Sequence, residues 1–265
     1  MLLSAVLLFV ANPIAAHEFW ISPVEYVIVA DRPVKAQLRI GSNFEGAVQR
    51  FFTAQFTRFE VFQNGNVVTV SGRLGDDPAL NIAALGDGLL IVVHETTSSV
   101  LTYRKPETFA DFATHKGAPD LIVQNQKRGF PVMGFRESFR RFAKSLIAVG
   151  TGEGQDVRIG LRAEIVALAN PYIDDLVSGF PVQVFYQGQP RPQAFVEVFA
   201  RNRDGEVTSK AYRADDTGIA RLDVAPDVEY LVDATLILPL PNEDITLGPV
   251  WESLWASLTF KVPDR

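Results

Sequence analysis

Three imidazoles and no thiol bound the chemistry this chain offers. His17, His94 and His115 are its whole supply of nitrogen side-chain ligands, and cysteine is absent from all 265 residues. His17 stands in "PIAAHEFWISP", directly behind two alanines. Cleavage after Ala16 would give it a free α-amino group beside its imidazole. Those two nitrogens can close a chelate ring on a borderline ion such as copper or nickel, and a second imidazole would complete a three-nitrogen plane. Glu18 offers an oxygen. His94 and His115 are the candidates for the further nitrogen, and each also has a structural reading. His94 ends an apolar run, where a hydrogen-bonded structural histidine is the commoner outcome. His115 falls near a helix C-terminus, where the helix dipole favours a positive charge.

Other chemistry is excluded sooner. The sequence holds no H-E-x-x-H, no G-x-S-x-G and no P-loop. The carboxylate pairs Asp76-Asp77, Asp174-Asp175 and Asp215-Asp216 lie beside turn residues and read as solvated turn formers. Trp20, Trp251 and Trp255 would stack on a sugar if exposed in a row, or fill a sandwich core.

The opening "MLLSAVLLFVANPIAA" carries no charged side chain, and its apolar segment Leu2 to Val10 is shorter than the roughly 20 residues a bilayer-spanning helix needs. With a small-x-small ending it reads as a signal peptide over 1–16, which places the mature chain in the periplasm. No other apolar run approaches spanning length. Thirty-one acidic side chains against twenty-five basic ones, a net charge of −6, argue against nucleic acid as a partner. Without cysteine, an exported chain has no disulfides and depends on its packed core.

The elements that must position these residues are mainly strands. "RPVKAQLRI" alternates Val34, Ala36, Leu38 and Ile40 with Lys35, Gln37 and Arg39, the pattern of a half-buried strand. "RFEVFQ" and "NVVTV" flank the turn signal Asn64-Gly65, and the more continuously apolar "GLLIVVHE" belongs in the middle of a sheet. "PETFADFATHKG" spaces Phe109, Phe112 and Ala113 for a helix that Gly117 and Pro119 stop. "FRESFRRFAKSLIAVG" fits a helix through its phenylalanines or a strand through "KSLIAVG". Its Arg136, Arg140, Arg141 and Lys144 read as a solvated face or, less readily, an anion patch. "GTGEGQD", residues 150–156, is the candidate linker. Beyond it, "RAEIVAL", "FPVQVFYQG", "AFVEVFARN", "GIARLDV" and "EYLVDATLIL" alternate with turns, and "WESLWASLTFKV" closes the chain with one core face and one exposed or interface face. The expected fold is mainly all-β with minor helix. It comprises an N-terminal β-rich domain over 17–156 and an immunoglobulin-like or transthyretin-like sandwich over 157–265.

"AHEFWISP", "FRRFAKSLIAVG", "NPY" at Asn170 to Tyr172, "VQVFYQGQPRPQAFVEVFAR" and "WESLWASLTF" together resemble an exported bacterial family of unknown function, described as the periplasmic component of a nickel/cobalt transport system. The resemblance implies a role in handling a transition metal outside the cytoplasm, with delivery to an inner-membrane permease as the partner step. It puts most weight on His17. Where the family carries a late-strand histidine, this chain has Leu236, which leaves His94 or His115 to complete a site. The leading expectation is a non-enzymatic periplasmic metal-binding protein for Ni(II) or Co(II), with Cu(II) also considered, through His17, His94 and His115. The alternatives are a copper oxidoreductase using the histidine chelate and a structural or glycan-binding module presenting Trp251 and Trp255.

Overall fold

The computed structural model describes residues 18–264; the expected signal segment 1–16 and His17 lie outside the described residues. The chain enters through β1 (Glu18–Pro23), β2 (Val27–Ile28), β3 (Pro33–Ser42) and β4 (Glu45–Gln49). It continues through β5 (Phe56–Gln63), β6 (Asn66–Thr69), β7 (Leu80–Ala83), β8 (Gly88–Thr96) and β9 (Ser99–Thr102). The helices α1 (Pro106–His115) and α2 (Asp120–Lys127) then precede the long strand β10 (Arg136–Val149). The second half holds β11 (Ala163–Ala167), β12 (Phe180–Tyr186), β13 (Gln189–Pro190), β14 (Phe195–Arg201) and β15 (Val207–Arg213), followed by β16 (Ile219–Leu222), β17 (Glu229–Pro239) and β18 (Trp251–Lys261).

The architecture is mainly β, as the alternating runs predict, and is layered about one large mixed sheet. Its strand order is β15-β14-β17-β18-β10-β8-β5-β6, with β2 and β9 also pairing with β10. Two smaller sheets, β1-β3-β4 with β7 and β11-β12-β13 with β16, pack on it. β10 lies parallel to β18 over Glu137 to Ser145, so one sheet joins strands from before and after the expected linker. The linker itself is anchored at its end, where Asp156 is buried against Lys144 of β10.

Strand periodicity assigns the faces. Leu89, Ile91 and Val93 of β8 and Leu254, Ala256 and Leu258 of β18 join Ile165, Val182 and Val184 of the second small sheet in one core. The intervening Leu90 and Val92 join Ile21, Val34, Ala36 and Leu38 of the first small sheet in another. Both faces of β8 are thereby buried, which is why its run is apolar without alternation. The Asn64-Gly65 hairpin forms as its sequence predicts: φ is 51° at Asn64 and 77° at Gly65, the left-handed pair that a tight two-residue turn requires.

Two expectations are corrected. The last strand has no exposed face, because Ser253, Trp255, Ser257 and Thr259 are as buried as the alternate residues. β1 and the helices cover that side. The Ser257 hydroxyl donates to the Phe19 carbonyl (2.7 Å), the Thr259 hydroxyl donates to the Ile21 carbonyl (2.8 Å), and α1 stacks Phe112 on Trp255. "FRESFRRFAKSLIAV" is a strand, and its basic residues form neither a solvated face nor an anion patch. Lys144 is fully buried, Arg140 pairs with Glu95, and Arg136 donates to the Thr246 carbonyl. A fourteen-residue strand crossing the centre of a sheet leaves little of either face to water.

Candidate functional site

On the face of the large sheet that carries β1 and the helices, four acidic and basic elements meet. α1 begins with Pro106 at its first turn, buries Phe109, Phe112 and Ala113 as their spacing predicts, and ends at His115. Gly117, at φ 70°, lets the chain turn away in a conformation that side-chain-bearing residues rarely adopt. This stop sets Lys116 under the helix end and His115 at its rim. From the sheet below, Glu197 of β14 and Asp233 of β17 stand directly opposite each other in the strand register. Glu18, the first residue of β1, closes the third side.

Lys116 sits at the centre. Its Nζ donates to Glu18 Oε1 (2.9 Å), Glu197 Oε2 (3.0 Å) and Asp233 Oδ2 (3.1 Å). It also lies 5.0 Å from the centroid of the Trp255 ring. All four residues are buried, whereas the His115 side chain is 57% exposed with Nε2 3.2 Å from Glu197 Oε2. Like charges directly across a strand pair repel, and the ammonium between Glu197 and Asp233 offsets that repulsion.

Burial opposes the Lys116 charge, but Asp233, Glu18 and Glu197 outweigh it and hold the proton more tightly than in an ordinary lysine. Burial raises the Glu18 carboxyl, with Lys116 pulling against it. Burial also pushes the Glu197 carboxyl upward, yet His115 and Lys116 prevail and hold it below the usual range. The hydrogen bond to Glu197 raises His115 despite partial burial. One acceptor remains over: Glu18 Oε2 is buried and has no hydrogen-bond partner among the described residues.

Behind this cluster lies a second polar layer. Tyr103 and Ser253 both donate their hydroxyls to the buried Glu137 carboxylate, and Trp255 Nε1 donates to Ser253 Oγ (2.8 Å). Burial pushes Glu137 up to about 7. Burial likewise lowers Arg141 to about 10, while Glu18, Glu137 and Asp233 favour its charge.

The expected ligands are placed unequally. His115 joins the cluster. His94 does not: it is packed in an aromatic cage with ring-centroid distances of 5.1 Å to Phe19, 5.3 Å to Phe56 and 5.0 Å to Phe59. Successive side chains of a strand point to opposite faces, so Phe19 with His94 and Glu18 with His115 lie on opposite sides of β1. Burial pushes His94 down to about 3, leaving it neutral, and its Nδ1 has no hydrogen-bond partner among the described residues. Aromatic packing surrounds the ring. His17 precedes Glu18 by one peptide bond and lies outside the described residues. Leu236 packs toward the core on the far face of β17 from Asp233.

Glu18, His115 and Glu197 each offer a ligand atom, and those atoms all lie within 4.8 Å of one another. Lys116, Glu197 and Asp233 are the residues that pattern reading missed. The available signal was a charged residue interrupting an apolar run, as in "FVEVFA" and "YLVDATL".

Trp251 and Trp255 are core residues, so the last strand presents no tryptophan row for sugar stacking. Among the described residues no helix is long and apolar enough to cross a membrane.

These features define a layered, mainly β protein with a buried carboxylate–lysine cluster opened to solvent by one histidine. The chain belongs to the family Domain of unknown function (DUF4198), whose model matches residues 14–237. No curated protein matches it. Among solved structures, a tetra-tandem repeat in the extending region of a large adhesion protein is 12% identical. That match covers 93% of this chain and 50% of the other, so this chain spans half its length, at a TM-score of 0.20. The D0-D1 domain of intimin is 11% identical, with 92% of this chain and 97% of that chain covered, at a TM-score of 0.21. At such scores neither overlay assigns anything to this chain.

Proposed function

We propose that this is an exported, non-enzymatic transition-metal-binding protein whose ion is held by His115, Glu18 and Glu197, with Asp233 adjacent. The observation that carries the reading is the convergence of an accessible imidazole on buried carboxylates from three separate elements. A nitrogen and oxygen donor set without thiolate suits Ni(II), Co(II), Zn(II) and Cu(II) over softer ions. A free amine and imidazole at His17 would add two nitrogens next to Glu18. In this reading the metal is cargo handled outside the cytoplasm and passed to an inner-membrane permease.

Ligation needs the His115 Nε2 lone pair, so protons compete with the metal and affinity falls on acidification. The test is calorimetric titration with Ni(II), Co(II) and Cu(II) of protein beginning at His17, beside His115→Ala and Glu197→Gln. A loss of at least tenfold in affinity in both variants is the expected result. Binding identical to that of the unaltered protein sinks the assignment. A version with one extra residue before His17 isolates the contribution of the chelate.

A further inference from the structure

Lys116 already fills the place that a cation would take. Each of its three ammonium protons goes to a different carboxylate, at 2.9, 3.0 and 3.1 Å, and all three carboxylate residues are buried. The acceptors nonetheless outnumber the donors. Glu18 Oε2, the sister of an oxygen already bonded to Lys116, is buried and has no hydrogen-bond partner among the described residues. Glu197 Oε2 is shared with His115 and Asp233 Oδ2 with the Thr235 hydroxyl, which donates at 3.1 Å. An ammonium offers three donors and one charge. A divalent ion offers twice the charge and four to six coordination positions, with bonds near 2.1 Å. Ligand atoms within 4.8 Å of one another need only a modest contraction to share such an ion. Arg141 and Arg191 also feel these carboxylates, the first through Glu18 and Asp233 and the second through Asp233, so the cluster is not left wholly unbalanced when the ammonium moves.

The solvent-facing side of the cluster is the end of α1. Lys116 is the cap residue of α1, followed by the Gly117 turn, and its neighbour His115 is 57% exposed at the rim. Displacement requires a rotation about the flexible lysine stem, whose ammonium lies 5.0 Å from the centroid of the Trp255 ring, a π-face that favours a cation.

We propose that Lys116 is a resident internal cation, and that a divalent metal enters the Glu18–Glu197–Asp233–His115 site by displacing its ammonium. Lys116 is then the selectivity element of the site. It stabilises three carboxylates without metal, and it sets a threshold that a monovalent ion cannot pass, because exchanging one single charge for another gains nothing. This rests on the cluster being a metal site, as proposed above, and the two ideas fail separately.

The experiment is a Zn(II) titration of the unaltered full chain and of Lys116→Met, with thermal unfolding in parallel. K116M is expected to bind Zn(II) at least tenfold more tightly, to melt below the unaltered protein without metal, and to recover on adding Zn(II). Affinity equal to or weaker than that of the unaltered protein overturns the proposal. If the unaltered protein binds Zn(II) and K116M binds it no more tightly, the displacement falls while the metal reading stands; if the unaltered protein takes up no Zn(II), both fall. If K116M does not fold with or without Zn(II), the ammonium resonance of Lys116 in the 15N-labelled unaltered protein decides. Its slowly exchanging signal should vanish as Zn(II) is added; persistence at saturation, or no uptake at all, overturns the proposal.

Discussion

Two lysines are buried in this protein, and their surroundings differ in a way that separates scaffold from site. Lys144 of β10 lies 2.7 Å from Asp156 Oδ1 and 3.4 Å from Glu164 Oε1, and it donates to the Val157 carbonyl at 3.1 Å. Glu164 accepts from the backbone N–H groups of Ile159, Gly160 and Leu161, and Asp156 Oδ2 accepts from that of Ala167, while Asp156 Oδ1 meets the ammonium as an ion pair without a hydrogen bond. That pocket fastens the Gly-rich segment to the sheet and, among the described residues, has no histidine at its rim. Lys116 bonds three carboxylates beside an accessible imidazole, and Glu18 Oε2 is left without a hydrogen-bond partner among the described residues. A buried charge, even beside an oxygen without a hydrogen bond, is therefore a poor marker of function; an accessible imidazole at the rim is a better one.

The largest expected effect tests the scaffold side. Lys144→Met leaves Asp156 and Glu164 without their counter-charge, and breaking a buried pair costs roughly 3–5 kcal/mol. Urea unfolding should show that loss, with no recovery on adding Zn(II). Recovery would erase the distinction between the two lysines.

Next in size is a pH effect beside the Lys116 cluster. Glu137 is raised from 4.5 to about 7 by burial. A raised carboxyl favours the folded state while protonated. Its contribution is fully present below pH 4.5 and is lost as pH rises through about 7, a change on the order of 3 kcal/mol at 1.36 kcal/mol per unit. Glu137→Gln stays neutral and should flatten that part of the stability profile, so that the variant gains on the unaltered protein at pH 8. Denaturant midpoints between pH 4 and 8 are the measurement, and parallel profiles for the two proteins would contradict it.

A smaller loss is expected at the turn that aims Lys116. A Cβ at Gly117 would fall 2.6 Å from the Phe195 ring, and φ there is 70°. Gly117→Ala should cost about 1–3 kcal/mol through that strain and crowding. It should also alter Zn(II) affinity, while the glycines near Lys144 leave that affinity unchanged when replaced.

The smallest expected change in stability is at Glu18→Gln. Its amide oxygen still accepts from Lys116 and the variant removes a charge that burial disfavours, so stability should shift by less than about 1 kcal/mol. Metal affinity should nevertheless drop at least tenfold. A variant that binds as well as the unaltered protein would place the ion elsewhere.

The sequence by itself determined most of the strands, because a side-chain period of two is a local property that one buried face imposes on each strand. "RPVKAQLRI", the Asn64-Gly65 hairpin and the Pro106 helix ending before Gly117 all appear where their patterns predict. The residue types available for chemistry were also legible: no cysteine, three histidines, and Glu18 beside the first of them. Only the tertiary structure decided that "WESLWASLTFKV" is buried on both faces, since that depends on β1 and α1 folding back over β18. It alone separated His94 from His115 across β1. It alone gathered Glu18, Lys116, Glu197 and Asp233, which stand up to 215 positions apart, because strand register and a helix end rather than sequence spacing bring them together.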